Sequence, residues 1–124
     1  MPMAAQAKIL IVDDERDLVD AYVRLLERSG YRCIGAFDAN EAIQMIDAES
    51  PDLVITDLSL PDANGIEIVR RVRAKSPVTP IIVMSGHNTA GLHEAAQAAG
   101  ANLSLLKPVS IAELQRVIGE ALAR

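Results

Sequence analysis

The sequence predicts an α/β domain built as a doubly wound five-stranded parallel sheet. Two observations carry that reading. Five short apolar runs, dominated by Ile, Leu and Val, show no polar alternation, so each reads as a strand buried on both faces. Between and after them come five stretches with apolar residues at helical spacing, and strict strand–helix alternation makes a parallel sheet with right-handed crossovers and helices on both faces. At 124 residues the chain (1–124) is expected to be one domain, with residues 1–7 as a frayed start. Half the residues are apolar, yet the aromatics are only Tyr22, Tyr31 and Phe37, so the core must be aliphatic.

The elements follow in order. Lys8-Ile9-Leu10-Ile11-Val12 is the first strand and ends in Asp13-Asp14-Glu15. The helix after it turns Leu18, Tyr22, Leu25 and Leu26 inward and closes at Gly30. Arg32 to Ala36 is a weaker strand. Asp38-Ala39-Asn40-Glu41 has capping-box form and opens a helix with Ala42, Ile43 and Ile46 inward, which Ser50-Pro51 ends. Leu53-Val54-Ile55-Thr56 runs straight into Asp57, and the turn Pro61-Asp62-Ala63-Asn64-Gly65 leads to a helix capped by Asn64. That helix faces Ile68, Val69 and Val72 inward, with Arg70, Arg71, Arg73 and Lys75 read as a solvated face near its C-terminus. Ile81 to Met84 is the fourth strand, ending at Ser85-Gly86; an alanine-rich helix spans Thr89 to Ala99. Leu103 to Leu106 is the fifth strand, ending at Lys107-Pro108, and Ser110-Ile111-Ala112-Glu113 opens the last helix.

Composition narrows the function classes. The net charge of −5 argues against direct nucleic-acid binding. Cys33 is the only cysteine, which rules out an internal disulfide, points to a cytoplasmic setting, and leaves the thiol as a small core residue. No apolar run approaches the length that spans a membrane. His87 and His93 have no ligand spacing around them and are read as solvated.

The strand ends carry the chemistry. In a parallel sheet the C-terminal ends of all strands lie on one edge, the edge where open α/β sheets bind ligands. Asp13 and Asp14, Asp57, Ser85 and Lys107 stand at four of the five ends. Carboxylates about 5 Å apart repel by about 3 kcal/mol per pair at an effective dielectric near 20, so a proton or a cation is needed among them. Carboxylate and carbonyl oxygens suit Mg²⁺. Mg²⁺, an ammonium and a hydroxyl are what a transferring phosphoryl group requires, and a carboxylate can be the nucleophile that accepts it. Asp13→Asn and Asp14→Asn are both expected to weaken Mg²⁺ binding and to relieve repulsion in metal-free protein.

These residues, with Pro61 and Gly65 beyond Asp57 and Pro108 after Lys107, make the chain resemble the receiver domain of two-component response regulators from Lys8 to about Leu122. The resemblance implies a flavodoxin-like sheet of order 2-1-3-4-5. It also implies roles. Asp57 is the expected phosphoacceptor; Asp14, Asp57 and the backbone carbonyl of Ser59 hold Mg²⁺, with Asp13 acting through water. Lys107 pairs with the phosphoryl oxygens, the Lys107–Pro108 bond is cis, and Ser85 hydrogen-bonds the phosphoryl group. Ser59 and His87 occupy positions that tune phosphoryl lifetime. The phosphodonor is a phosphohistidine on a sensor histidine kinase or a histidine phosphotransfer protein, and the output is a downstream protein target or effector domain. Such a domain is a signalling phosphoacceptor rather than an enzyme with an outside substrate.

One position departs from the family. Receivers commonly carry Tyr or Phe three residues before the lysine, a ring that swings inward as the hydroxyl moves; here the residue is Ser104. The usual coupled switch is therefore expected to be absent or rewired. A phosphorylation-independent interaction module on the same fold is the alternative that this departure raises. A hydrolase of the haloacid-dehalogenase type would need its nucleophile on the first strand and a cap insertion, which the sequence does not offer.

Overall fold

The computed structural model describes residues 6–86 and 91–123. Five strands and five helices alternate as β1 (Lys8–Val12), α1 (Arg16–Arg28), β2 (Arg32–Ala36), α2 (Ala39–Glu49), β3 (Leu53–Asp57), α3 (Ile66–Lys75), β4 (Ile81–Ser85), α4 (Leu92–Ala99), β5 (Leu103–Leu106) and α5 (Ile111–Leu122). All the pairings are parallel and the sheet order is β2-β1-β3-β4-β5. The chain thus folds as the alternation demands, with the order that the resemblance implies.

The period of two along each strand sorts side chains between two cores. Leu10, Val12, Val54, Ile81 and Val83 face α2, α3 and α4; Ile9, Ile11, Leu53, Ile55, Ile82 and Met84 face α1 and α5. β1, β3 and β4 are buried along nearly their whole length, which is why they carry no polar alternation. On α1 the fully buried stripe is Val19, Tyr22 and Leu26, while Leu18 and Leu25 are only half covered.

Local signals hold the helix ends. Asp38 Oδ1 accepts from the Glu41 N–H at 2.7 Å, and Glu41 Oε1 reaches back to the Phe37 N–H at 2.7 Å. Ser110 Oγ accepts from the Glu113 N–H. Asn64 Oδ1 accepts from the Ile66 N–H at 3.0 Å, so it caps α3 from two residues before the helix start, with Gly65 between. α4 is Leu92–Ala99, and Gly91 before it has φ +73°, a left-handed conformation that a right-handed helix does not include; Thr89 and Ala90, the expected helix start, lie outside the described residues. Residues 87–90, including the tuning position His87, lie outside the described residues.

Two surface readings are corrected by packing. His93 is 9% exposed, is buried on α4 along with Ala96, and its Nε2 has no hydrogen-bond partner among the described residues. The basic stretch of α3 divides: Arg70 and Arg71 pair with Glu67 and Asp47 at the surface, but Arg73 turns inward. Its guanidinium donates to the carbonyls of Gly100, Ser76 and Thr79 and to Asn102 Oδ1, tying α3 to the end of α4 and to the α3–β4 and α4–β5 connections. Neither fact is visible in helical periodicity, since both depend on which neighbour covers the helix.

Candidate functional site

The parallel sheet brings the strand ends to one edge, and the parity of each strand decides which side chains meet there. Asp13, Asp57 and Lys107 each follow, at even spacing, residues that face α1 and α5: Ile11, Ile55 and Leu105. They converge. Lys107 Nζ lies 2.6 Å from Asp13 Oδ2, 2.8 Å from Asp57 Oδ2 and 3.4 Å from Glu15 Oε1. Carboxylate oxygens of Asp13, Asp14 and Asp57 lie within 4.8 Å of one another. Asp13 and Asp57 are buried, at 1% and 6% exposure, whereas Asp14 is open to solvent.

Asp57 is held from both sides. Its Oδ1 accepts the Ser59 N–H at 2.9 Å, and its Oδ2 accepts the Lys107 ammonium. Behind it the chain turns sharply: the Gly65 N–H donates to the Leu58 carbonyl, and a Cβ at Gly65 would collide with the Asp57 carbonyl and sit 3.0 Å from Leu58 Cα. Close backbone approach therefore requires glycine here. Ser59 also bridges to Asn64 across this turn.

Ser85, 2% exposed, ends β4 one residue beyond Met84, the strand partner of Asp57. Its carbonyl accepts the Lys107 N–H at 2.8 Å, so hydroxyl and lysine leave neighbouring strands together. The Lys107–Pro108 peptide bond is cis. Ser104, two residues along β5 from Leu106, pairs with Val83; its Oγ is buried without a hydrogen-bond partner. No side-chain ring stands at that position.

Charge and burial set the protonation of the pair. Burial raises the Asp57 pKa above its ordinary value, opposed by the hydrogen bonds from Lys107 and from the Ser59 N–H, and by the lysine charge; the Asp13 charge adds to the rise. Burial alone would lower the Lys107 pKa, but the hydrogen bonds with Asp13 and Asp57, and their charges, hold it well above the ordinary value. Lys107 is thus an ammonium that offsets much of the repulsion between Asp13 and Asp57. It does not offset all of it: three carboxylates with exposed Asp14 on the open side form a set of hard oxygen donors suited to a divalent cation.

Two residues with a part in the site's architecture escape sequence reasoning. Tyr22 donates its hydroxyl to the Val109 carbonyl at 3.1 Å, across 87 residues of chain. Asp62 accepts the N–H groups of Ala39 and Asn40, pinning the turn after β3 to the start of α2; those two hydrogen bonds hold its carboxyl below the usual range. In sequence, Tyr22 is one more apolar-face residue and Asp62 one more turn residue.

Comparison with known proteins agrees with this geometry. The family model described as "Response regulator receiver domain" matches residues 9–119. The alkaline phosphatase synthesis transcriptional regulatory protein PhoP of Bacillus subtilis is 34% identical over 117 residues, covering 94% of this chain and 49% of that protein. The transcriptional regulatory protein PdtaR of Mycobacterium tuberculosis is 34% identical over 122 residues, covering 98% of this chain and 59% of that one. The chain thus spans about half the length of the curated relatives it matches. Among solved structures, a CheY-like response regulator receiver domain protein from Methanospirillum hungatei superposes with a TM-score of 0.93 at 30% identity, covering 96% of this chain and 95% of that one. The chain belongs to the response regulator receiver domain family of two-component systems.

Proposed function

We propose that the chain is a phosphoacceptor switch in which Asp57 takes a phosphoryl group from a phosphohistidine of a sensor histidine kinase or a histidine phosphotransfer protein. The observation that carries this is the convergence of Asp13, Asp14 and Asp57, oxygens within 4.8 Å, around a lysine ammonium that touches two of them. Asp14, Asp57 and the Ser59 backbone carbonyl would hold Mg²⁺ directly, and Asp13 through water. When bound, the metal neutralises phosphoryl oxygens and the carboxylates that would repel them.

The residues of the chain divide the rest of the work. An Asp57 carboxylate oxygen attacks phosphorus, an O–P bond forms as the donor's P–N bond breaks, and the leaving imidazole nitrogen takes a proton from water. The Ser59 N–H keeps one Asp57 oxygen in place. Lys107 releases the Asp57 carboxylate and pairs with phosphoryl oxygen, while Asp13 keeps its stem over the site. Ser85 donates its hydroxyl to the phosphoryl group and carries the event to the end of β4. The acyl phosphate carries roughly −1.5 to −2 charge at pH 7 in place of the carboxylate's single charge, and sets it on oxygens farther out from β3, enough to reorganise groups around it. With Ser104 in place of a ring, the signal leaves through backbone and loop shifts rather than through aromatic packing, toward a downstream protein or effector domain in the cytoplasm.

Incubation with a small phosphoryl donor and Mg²⁺, followed by intact-mass measurement, tests this. One phosphoryl group is expected, lost with Asp57→Asn and with a chelator. A folded chain that takes up no phosphoryl group, with spectra unchanged by donor and Mg²⁺, would instead favour the phosphorylation-independent module.

A further inference from the structure

The β5–α5 connection has an unusual duty: it must hold a charged lysine end over two buried carboxylates and then let it move to a phosphoryl oxygen. Its outer side gives little support. Glu15, Leu18, Tyr22, Lys107, Pro108 and Val109 line an open groove of about 430 Å³, so that side of the connection faces space rather than packed atoms. Inside, Val109 is buried in the aliphatic core with Tyr22, Leu114 and Ile118, and core contacts alone do not orient a peptide plane. The Tyr22 hydroxyl does. It donates to the Val109 carbonyl at 3.1 Å from a ring that is 6% exposed. An alkyl chain of similar bulk at this α1 position would fill the same core without offering a donor.

The surroundings suit that donor role. Burial, chiefly, raises the Tyr22 pKa; the Lys107 charge pulls it down, and the charges of Asp13 and Glu15 add to the rise, so the phenol keeps its proton. These same neighbours make the hydroxyl part of the site's electrostatic surroundings, although it touches none of the reacting groups.

We propose that Tyr22 is a positioning residue for phosphoryl transfer: its hydroxyl, by holding the Val109 carbonyl, sets where the Lys107 ammonium rests between Asp13 and Asp57. This rests on the phosphoacceptor reading above. Tyr22 acts through Lys107, so its contribution exists only while the lysine is present.

The test compares wild type, Tyr22→Phe, Lys107→Ala and the double variant for the rate of phosphorylation by phosphoramidate at saturating Mg²⁺, below the melting range of each. Tyr22→Phe is expected to slow the reaction roughly three- to tenfold, the worth of one neutral hydrogen bond. The same change in the Lys107→Ala background is expected to do nothing. A second readout is the Lys107 ¹³Cε resonance, assigned by its loss in Lys107→Ala; it should shift in Tyr22→Phe, and it decides the matter even where Lys107→Ala is too slow to follow. An unshifted resonance with an unchanged rate overturns the assignment, as does a Tyr22→Phe loss that persists in full without the lysine. Wild type that takes no phosphoryl group overturns the parent reading and this one with it, whereas labelled wild type with an equal Tyr22→Phe overturns this one alone.

Discussion

Two inward-turned cations, Lys107 and Arg73, are held by opposite means. Lys107 sits among charges: Asp13 and Asp57, with Glu15 at the margin. Arg73 sits among dipoles, donating to three backbone carbonyls and one side-chain amide oxygen, and burial pulls its pKa down. Neutral acceptors give a cation one stable arrangement, and nothing that binds nearby redistributes them. Carboxylates can instead be protonated, metallated or phosphorylated, so each such event changes what the lysine faces. The difference separates a clamp from exchangeable partners: Arg73 fastens α3 to the end of α4 and to the α3–β4 and α4–β5 connections, while in the proposed function Lys107 changes partners.

The largest expected effect lies on the clamp. Arg73→Met strands several part-buried acceptors at once and should cost about 3 kcal/mol in chemical denaturation, yet leave phosphoryl uptake by the folded fraction intact. Loss of uptake without loss of stability would erase the distinction. Next come the two neighbouring acids, which sequence alone treats alike and the structure divides. Asp13 is buried, bonds Lys107 and accepts the Glu15 N–H. Asp13→Asn should therefore destabilise chelator-treated protein by about 1–3 kcal/mol. Asp14 is exposed, so Asp14→Asn should raise stability by a few tenths of a kcal/mol as repulsion falls. Both should weaken Mg²⁺ binding, readable by calorimetry. Opposite melting shifts would mean that Lys107 does not neutralise Asp13.

The smallest effect concerns pH. Because burial lifts the folded-state pKa of Asp57 above its unfolded value, the folded chain binds that proton more tightly. The associated stability is present at low pH and lost as pH rises through the lifted value, above the ordinary carboxylate range near about 4. Lys107 has the same sign in a higher window: its contribution holds at all pH below about 10 and fades only as pH rises beyond. Melting curves in chelator should show the Asp57 fall in wild type and not in Asp57→Asn.

Much of this was legible before any coordinates. Runs such as Leu53–Thr56 carry a pattern that only a two-sided buried strand explains, and a parallel sheet then gathers their ends without further information. Asp13, Asp14, Asp57 and Lys107 were found that way. What stayed hidden depends on who covers whom. Arg73 looks like a surface residue until the carbonyls of Gly100, Ser76 and Thr79 meet its guanidinium, and His93 does until α4 buries it. Tyr22 looks like ordinary core until its hydroxyl meets a carbonyl 87 residues away. Within the alanine-rich stretch that reads as one helix, the left-handed Gly91 shows only in the backbone.

Calorimetric titration with beryllofluoride, with and without Mg²⁺, tests the central claim most directly, since the anion completes a phosphoryl-like tetrahedron on a carboxylate oxygen. One equivalent should bind wild type only when Mg²⁺ is present, and Asp57→Asn should bind none. Undiminished binding to Asp57→Asn, or none to folded wild type in Mg²⁺, would contradict it.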